Sequence, residues 1–123
     1  MWLLDTNILI HCKKKDIKRF SKEKIFTTMF SLIEFPLASN FENLTTIFPS
    51  SLHYEQAFRN SVFLRKKGTP IPTIDLLIGT ITIDKNMILV SDDSHFQYLK
   101  AVDPRLKIMK SDDFIKNILE IGL

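Results

Sequence analysis

Asp5, Glu34, Asp75 and the Asp92-Asp93 pair are the residues of this chain whose types and placement could do chemistry. Asp5 ends the apolar run Trp2-Leu3-Leu4, and Glu34 follows the β-like segment from Lys24 to Met29. Asp75 heads the apolar run from Leu76 to Ile81, and Asp92-Asp93 close the run from Met87 to Ser91. Each acid has an ordinary structural reading. Asp5, Asp92 or Asp93 could cap a following helix, Ser31-x-x-Glu34 has the form of a capping box, and Asp75 could complement a helix dipole. Together they are harder to dismiss, because converging carboxylates repel and raise one another's pKa unless a cation neutralises them. A single cysteine and three scattered histidines give no soft-metal cluster. An oxygen-only donor set therefore points to a hard cation.

Such a cluster needs elements that deliver every acid to one edge. The pattern predicts a strand at Trp2–Leu4, a helix from Thr6 to about Cys12, a short helix in the lysine-rich stretch, and a strand from Lys24 to Met29. A helix is expected from Ser31 to near Asn40, a loop around Pro49 from Phe41 to Ser50, and an amphipathic helix from Leu52 to Lys67. Phe58, Val62 and Arg65 recur there at spacings of three or four, and Gly68 stops the helix. After the Pro70 and Pro72 turn come a helix at Asp75–Asp84, a strand at Met87–Val90, a short helix at His95–Leu99, a strand at Leu106–Met109 and a helix at Ser111–Ile121. Alternation of this kind implies a parallel sheet with helices on both faces, whose ligands bind beyond the carboxyl ends of the strands. Asp5, Glu34 and Asp92-Asp93 each follow a strand. Asp75 reaches that edge only by the polarity of its helix.

Length and composition bound the rest. A chain of 123 residues with 45% hydrophobic content suits one domain spanning residues 1–123. No apolar stretch approaches the roughly 20 residues of a membrane span, and no signal-peptide pattern opens the chain. The single cysteine, Cys12, excludes an internal disulfide, so a soluble cytoplasmic protein is expected. The net charge is only +3. Its placement matters more: Lys13, Lys14, Lys15, Lys18, Arg19, Lys22 and Lys24 crowd one segment, and Arg65-Lys66-Lys67 form a second patch. A lysine-rich surface is by default just solvated, but a carboxylate site that receives an anionic backbone needs cations at its rim. His11 and His53 show no ligand spacing. His95, on a short surface helix, is expected to be solvated or to contact phosphate.

The ordered acids and their flanks resemble the PIN-domain nucleases, and most closely the small toxin ribonucleases of VapBC-type toxin–antitoxin pairs. Leu3-Leu4-Asp5-Thr6-Asn7 matches the opening motif and Ser31-Leu32-Ile33-Glu34-Phe35 the second. Lys67-Gly68 through Asp75-Leu76-Leu77 is similar to the third, and Ser91-Asp92-Asp93-Ser94-His95-Phe96 to the fourth, with Asp93 in the place of the family acid. His95 falls where some members carry a further acid. Where the family is alanine-rich after its third acid, this chain has Ile78-Gly79-Thr80-Ile81-Thr82, a departure that bears on packing.

The resemblance implies a three-layer α/β/α sandwich with a central parallel sheet, a Mg²⁺ or Mn²⁺ site, endonucleolytic cleavage of RNA, a small cognate antitoxin, and a homodimer. Asp5 and Asp93 would be direct ligands, with Asp75 and Glu34 filling other positions directly or through water. Thr6, Asn7 and Ser91 would orient ligands or water. Lys13, Lys14, Lys15, Arg65, Lys66 and His95 would face RNA. Phe20, Phe35 and Phe41 would line a groove for an antitoxin helix. The main rival is a catalytically silent PIN-like adaptor that binds RNA or protein without cutting; the presence of all four acids counts against it. A phosphoacceptor receiver would need its paired acids early, and a phosphatase using Asp5 would need Asp-x-Asp where Asp5-Thr6-Asn7 stands.

Overall fold

The computed structural model describes residues 1–12 and 24–121. Five strands, β1 (Trp2–Leu4), β2 (Ile25–Thr28), β3 (Leu44–Ile47), β4 (Ile88–Val90) and β5 (Lys107–Met109), form one sheet in the order β3-β2-β1-β4-β5. Every pairing is parallel, with Leu3 opposite both Phe26 and Leu89 and Leu4 opposite Val90. Between them run α1 (Thr6–His11), α2 (Met29–Glu34), a 3₁₀ turn (Pro36–Asn40), α3 (Ser51–Lys66), α4 (Thr73–Asp84), α5 (His95–Val102) and α6 (Ser111–Ile121).

Period-two alternation in the strands divides the core between two faces. Leu3 and Leu89 pack with Ala57, Leu64, Leu77, Ile81, Phe96 and Leu99 from α3, α4 and α5. Leu4, Ile25 and Val90 pack on the other face with Ile8, Leu9, Ala38 and Phe114. Phe114 also meets the Trp2 ring edge-on, at 5.3 Å between centroids. The result is the three-layer α/β/α sandwich that the alternation predicted. No described helix is long and apolar enough to cross a membrane.

The structure corrects several boundaries. The expected loop at 41–50 contains β3, paired with β2 along its whole length. Its Thr45 and Thr46 leave it without an apolar run, as suits an edge strand with one polar side. The helix expected from Ser31 to Asn40 starts earlier and breaks at Phe35, where φ is −137° and ψ is 78°. Pro36 bars the helical region to the residue before it. Thr28, not Ser31, caps α2, accepting from Ser31 N–H at 3.3 Å, and Glu34 is the last residue of α2, so no capping box involves it.

The buried face of α3 is not the one that carries Phe58 and Val62. Its buried stripe is His53, Ala57, Asn60 and Leu64, whereas Phe58 is 70% exposed and Val62 lies outside the core. His53 is accommodated because Ser50 N–H donates to its Nδ1 at 2.9 Å, which leaves Nε2 to donate to Asp84 Oδ2 at 2.8 Å. Gly68, at φ 75°, takes the left-handed position that ends α3, with Thr69 N–H closing on Leu64 O. The lysine-rich segment, and the short helix expected within it, lie outside the described residues.

Candidate metal centre

The switch in strand order falls at β1, with β2 on one side and β4 on the other. In an open parallel sheet this is where a crevice forms beyond the carboxyl ends. β1 runs into Asp5 and β4 into Ser91-Asp92-Asp93, so the two strands on the crevice each deliver an acid there.

Asp5 is 4% exposed. One carboxylate oxygen accepts from Thr6 N–H at 2.8 Å and the other from the Ser91 hydroxyl at 2.8 Å. Burial raises its pKa above the ordinary value against the pull of these two donors, and the charges of Asp93 and Glu34 add to the rise. Ser91 Oγ also accepts from Asp93 N–H at 3.0 Å, so a single buried hydroxyl ties the end of β1 to the loop after β4.

Asp75, in the first turn of α4, faces this loop. Burial and the charge of Asp93 push its carboxyl up to about 6, partly offset by His95. Helix polarity therefore does bring Asp75 to the same edge. His95, the first residue of α5, sets Nδ1 at 3.2 Å from Asp75 Oδ2 and 3.1 Å from Asp93 Oδ1. One donor atom from each of Asp75, Asp93 and His95 lies within 4.8 Å of the other two. His95 is thus part of the acid cluster and not a merely solvated residue. The spacing Asp93-Ser94-His95 at a helix start was the available signal; its contact with Asp75, 20 residues away, is tertiary.

Glu34 stands beside the cluster, its Oε1 at 3.2 Å from Thr6 Oγ1, with Ser31 Oγ at 3.0 Å from the same hydroxyl. Ser31 is fully buried and joins α2 to α1 through Thr6. Asp92 points away: it accepts from both Ser111 N–H and the Ser111 hydroxyl, at 2.9 and 2.7 Å, and these bonds hold its pKa below the ordinary range. It fastens the start of α6 and leaves Asp93 as the acid that faces Asp75.

Asn7 is exposed on α1. Arg65 and Lys66 are exposed at the end of α3, where Arg65 borders a groove of about 360 Å³ with Tyr54, Phe58, Pro70, Ile71 and Thr73. Lys13, Lys14, Lys15 and Phe20 lie outside the described residues. Phe35 and Phe41 are half-buried against the core, so they are not the exposed groove lining expected of them. Among the described residues, the exposed large apolar side chains include Ile33 and Leu37 around Glu34, and Phe48, Leu52, Tyr54, Phe58 and Phe63 on and before α3.

A hard or borderline divalent cation fits these donors. Carboxylates that burial and mutual repulsion drive toward protonation are stabilised in the charged form by a cation between them. A separate cleft of about 240 Å³, lined by His53, Arg59, Asp84 and Arg105, sits at the far end of α4 from Asp75 and takes no part in the cluster.

The fold is a PIN-like α/β/α sandwich. The solved structures that this chain matches carry the same architecture. A chain of the VapBC2 complex of Rickettsia felis superposes with a TM-score of 0.69 at 20% identity, covering 89% of this chain and 97% of that one. VapBC of Salmonella typhimurium gives 0.71 at 15% identity, with 89% and 96% coverage. VapBC-1 of nontypeable Haemophilus influenzae gives 0.69 at 19% identity, again with 89% and 96%. At these identities the likeness shows the fold, which matches that of VapC in VapBC toxin–antitoxin systems. No family model and no curated protein matches the sequence.

Proposed function

We propose that this chain is a divalent-metal-dependent endoribonuclease that hydrolyses RNA phosphodiester bonds, and that it is the toxin of a VapBC-type toxin–antitoxin pair. The observation that carries the reading is the cluster of Asp75, Asp93 and His95, with Asp5 after β1 near enough for the charges of Asp93 and Glu34 to bear on it. The fold shared with VapBC structures supports it.

Asp5, Asp75, Asp93 and Glu34 would hold Mg²⁺ or Mn²⁺, which when bound polarises a phosphoryl oxygen and makes water a stronger nucleophile at neutral pH. The protein's own part is positional. Ser91 fixes the Asp5 carboxylate and the Asp93 backbone together, and Thr6 steadies Glu34. Asp75, Asp93 and His95 remain partly exposed, so a substrate can reach them from outside. Arg65 and Lys66, with the lysines of residues 13–15, would supply the cationic rim for the RNA backbone.

The apolar residues left exposed support protein partners. Ile33 and Leu37 flank Glu34, where a segment of a small cognate antitoxin would cover the acids. The Tyr54-Phe58-Val62 stripe of α3 suits a homodimer contact.

The deciding experiment is RNA cleavage by the purified chain with Mg²⁺ or Mn²⁺, beside EDTA controls and the Asp5→Asn and Asp93→Asn variants. Cutting by the wild type that EDTA and both substitutions abolish is the expected result. Metal binding without cutting of any RNA offered would move the assignment to a silent PIN-like adaptor, and failure to bind a divalent ion would overturn the metal reading.

A further inference from the structure

We infer that His95 is itself a ligand, so that the cation at this edge is bound by one imidazole nitrogen together with the carboxylates of Asp75 and Asp93, and that the site selects a first-row transition ion such as Mn²⁺ over Mg²⁺. The inference rests on the metal-dependent reading above and adds to it the identity of the ion.

Geometry comes first. His95 Nδ1 lies 3.1 Å from Asp93 Oδ1 and 3.2 Å from Asp75 Oδ2. Adjacent ligands on an octahedral ion with bonds of roughly 2.1 Å sit about 3 Å apart, so both separations suit neighbouring positions around one ion. The main chain at His95 is fixed to the same carboxylate, since His95 N–H donates to Asp93 Oδ1 at 2.9 Å. Asp75 comes from a different helix, so α4 and the start of α5 close on the same point.

Chemistry then sets the preference. Mg²⁺ dehydrates reluctantly and takes oxygen ligands, whereas imidazole favours first-row transition ions, with affinity rising from Mn²⁺ toward Cu²⁺. An aspartate in place of His95 would give an all-oxygen set with no such bias. His11 and His53 do not compete for the role: His11 is exposed at the end of α1, and both ring nitrogens of His53 are engaged by Ser50 and Asp84.

The test uses the full chain, stripped of metal and loaded with Mn²⁺, read by pulsed electron paramagnetic resonance for nitrogen coupling and by calorimetry for Mn²⁺ against Mg²⁺. The wild type should show one imidazole nitrogen coupled to the bound ion. His95→Gln and His95→Asp should still bind Mn²⁺, lose that coupling, and lower the Mn²⁺:Mg²⁺ affinity ratio about tenfold, the lower end of what altering one residue around a metal does. A thermal melt of each variant confirms that it is folded, and the wild-type spectrum stands whether or not they are. Bound Mn²⁺ without nitrogen coupling, or coupling that survives in both variants, overturns the ligand assignment and leaves the carboxylate centre intact. No bound Mn²⁺ in the wild type overturns both.

Discussion

The Ser91 hydroxyl donates to Asp5 Oδ2 at 2.8 Å across 86 residues of sequence, and the same oxygen accepts from Asp93 N–H at 3.0 Å. One buried side chain therefore fixes two of the candidate ligands relative to each other, which no contact within a single element could do. Ser91→Ala leaves the Asp5 carboxylate and the Asp93 amide each short of a partner. The expected loss is roughly 1–3 kcal/mol of stability, because a buried polar group is left unpaired. Divalent-ion affinity should fall about 10- to 100-fold, as when a residue that orients a ligand is removed. Chemical denaturation and calorimetry on the variant check both; an unchanged affinity would mean that Ser91 is only a structural tie.

Asp75 makes stability depend on pH in a direction opposite to most carboxylates. Its pKa rises from 3.8 to about 6 on folding, through burial and the charge of Asp93. Between those values the folded chain binds more protons than the unfolded chain, so metal-free stability falls as pH rises from about 4 to about 6 and then levels. Asp75→Asn removes the penalty. In EDTA the variant should be more stable than wild type at pH 7, by on the order of 1–3 kcal/mol, with no advantage near pH 4. Melting curves at the two pH values decide it, and equal melting temperatures at pH 7 would show that the carboxylate is not strained in the folded chain.

Much of the arrangement was legible because apolar runs and their terminal acids lie close in sequence. Leu3-Leu4-Asp5 and Leu89-Val90-Ser91 declare buried parallel strands that end at a polar edge, whereas the choice of Asp93 over Asp92 comes from the family resemblance and not from these runs. What could not be read depends on tertiary partners. β3 hides behind Thr45 and Thr46 because an edge strand needs no continuous apolar run. The buried side of α3 does not follow from apolar spacing, because His53 is polar yet satisfied by Ser50 and Asp84, while Phe58 is apolar yet exposed. His95 looked like a surface residue for the same reason: its contact with Asp75 is made by α4 packing against α5.

Gly79 records how closely those two helices pack. A Cβ at this position would collide with the Leu99 side chain, so the departure from an alanine-rich stretch here serves the approach of α4 to α5. Gly79→Ala gains intrinsic helix propensity of about 1 kcal/mol but forces Leu99 out of its place in the core. The net expectation is destabilisation of roughly 1–2 kcal/mol, since overpacking a close-packed core costs about 1–3 kcal/mol. The double variant Gly79→Ala, Leu99→Ala should then lose less than the sum of the two single changes, because the truncated side chain no longer clashes. Additive losses in a denaturation cycle would show that Leu99 swings aside freely.

Phe58 bears on partners rather than on folding. It is 70% exposed and lies between Tyr54 and Val62 on the outer side of α3, while the inner side carries His53, Ala57, Asn60 and Leu64. An exposed apolar stripe of this kind is a surface suited to a protein partner. Phe58→Asp removes no core contact, so thermal stability of the isolated chain should change by under about 0.5 kcal/mol. If the stripe is the proposed homodimer contact, the substitution puts a charge into both sides of a symmetric interface and should convert a dimer into a monomer. Sedimentation of wild type and variant at matched concentrations distinguishes the outcomes: a wild-type dimer that persists in Phe58→Asp places the homodimer contact elsewhere, and a wild type that is monomeric throughout removes the homodimer from the proposal while leaving the stripe to a different protein.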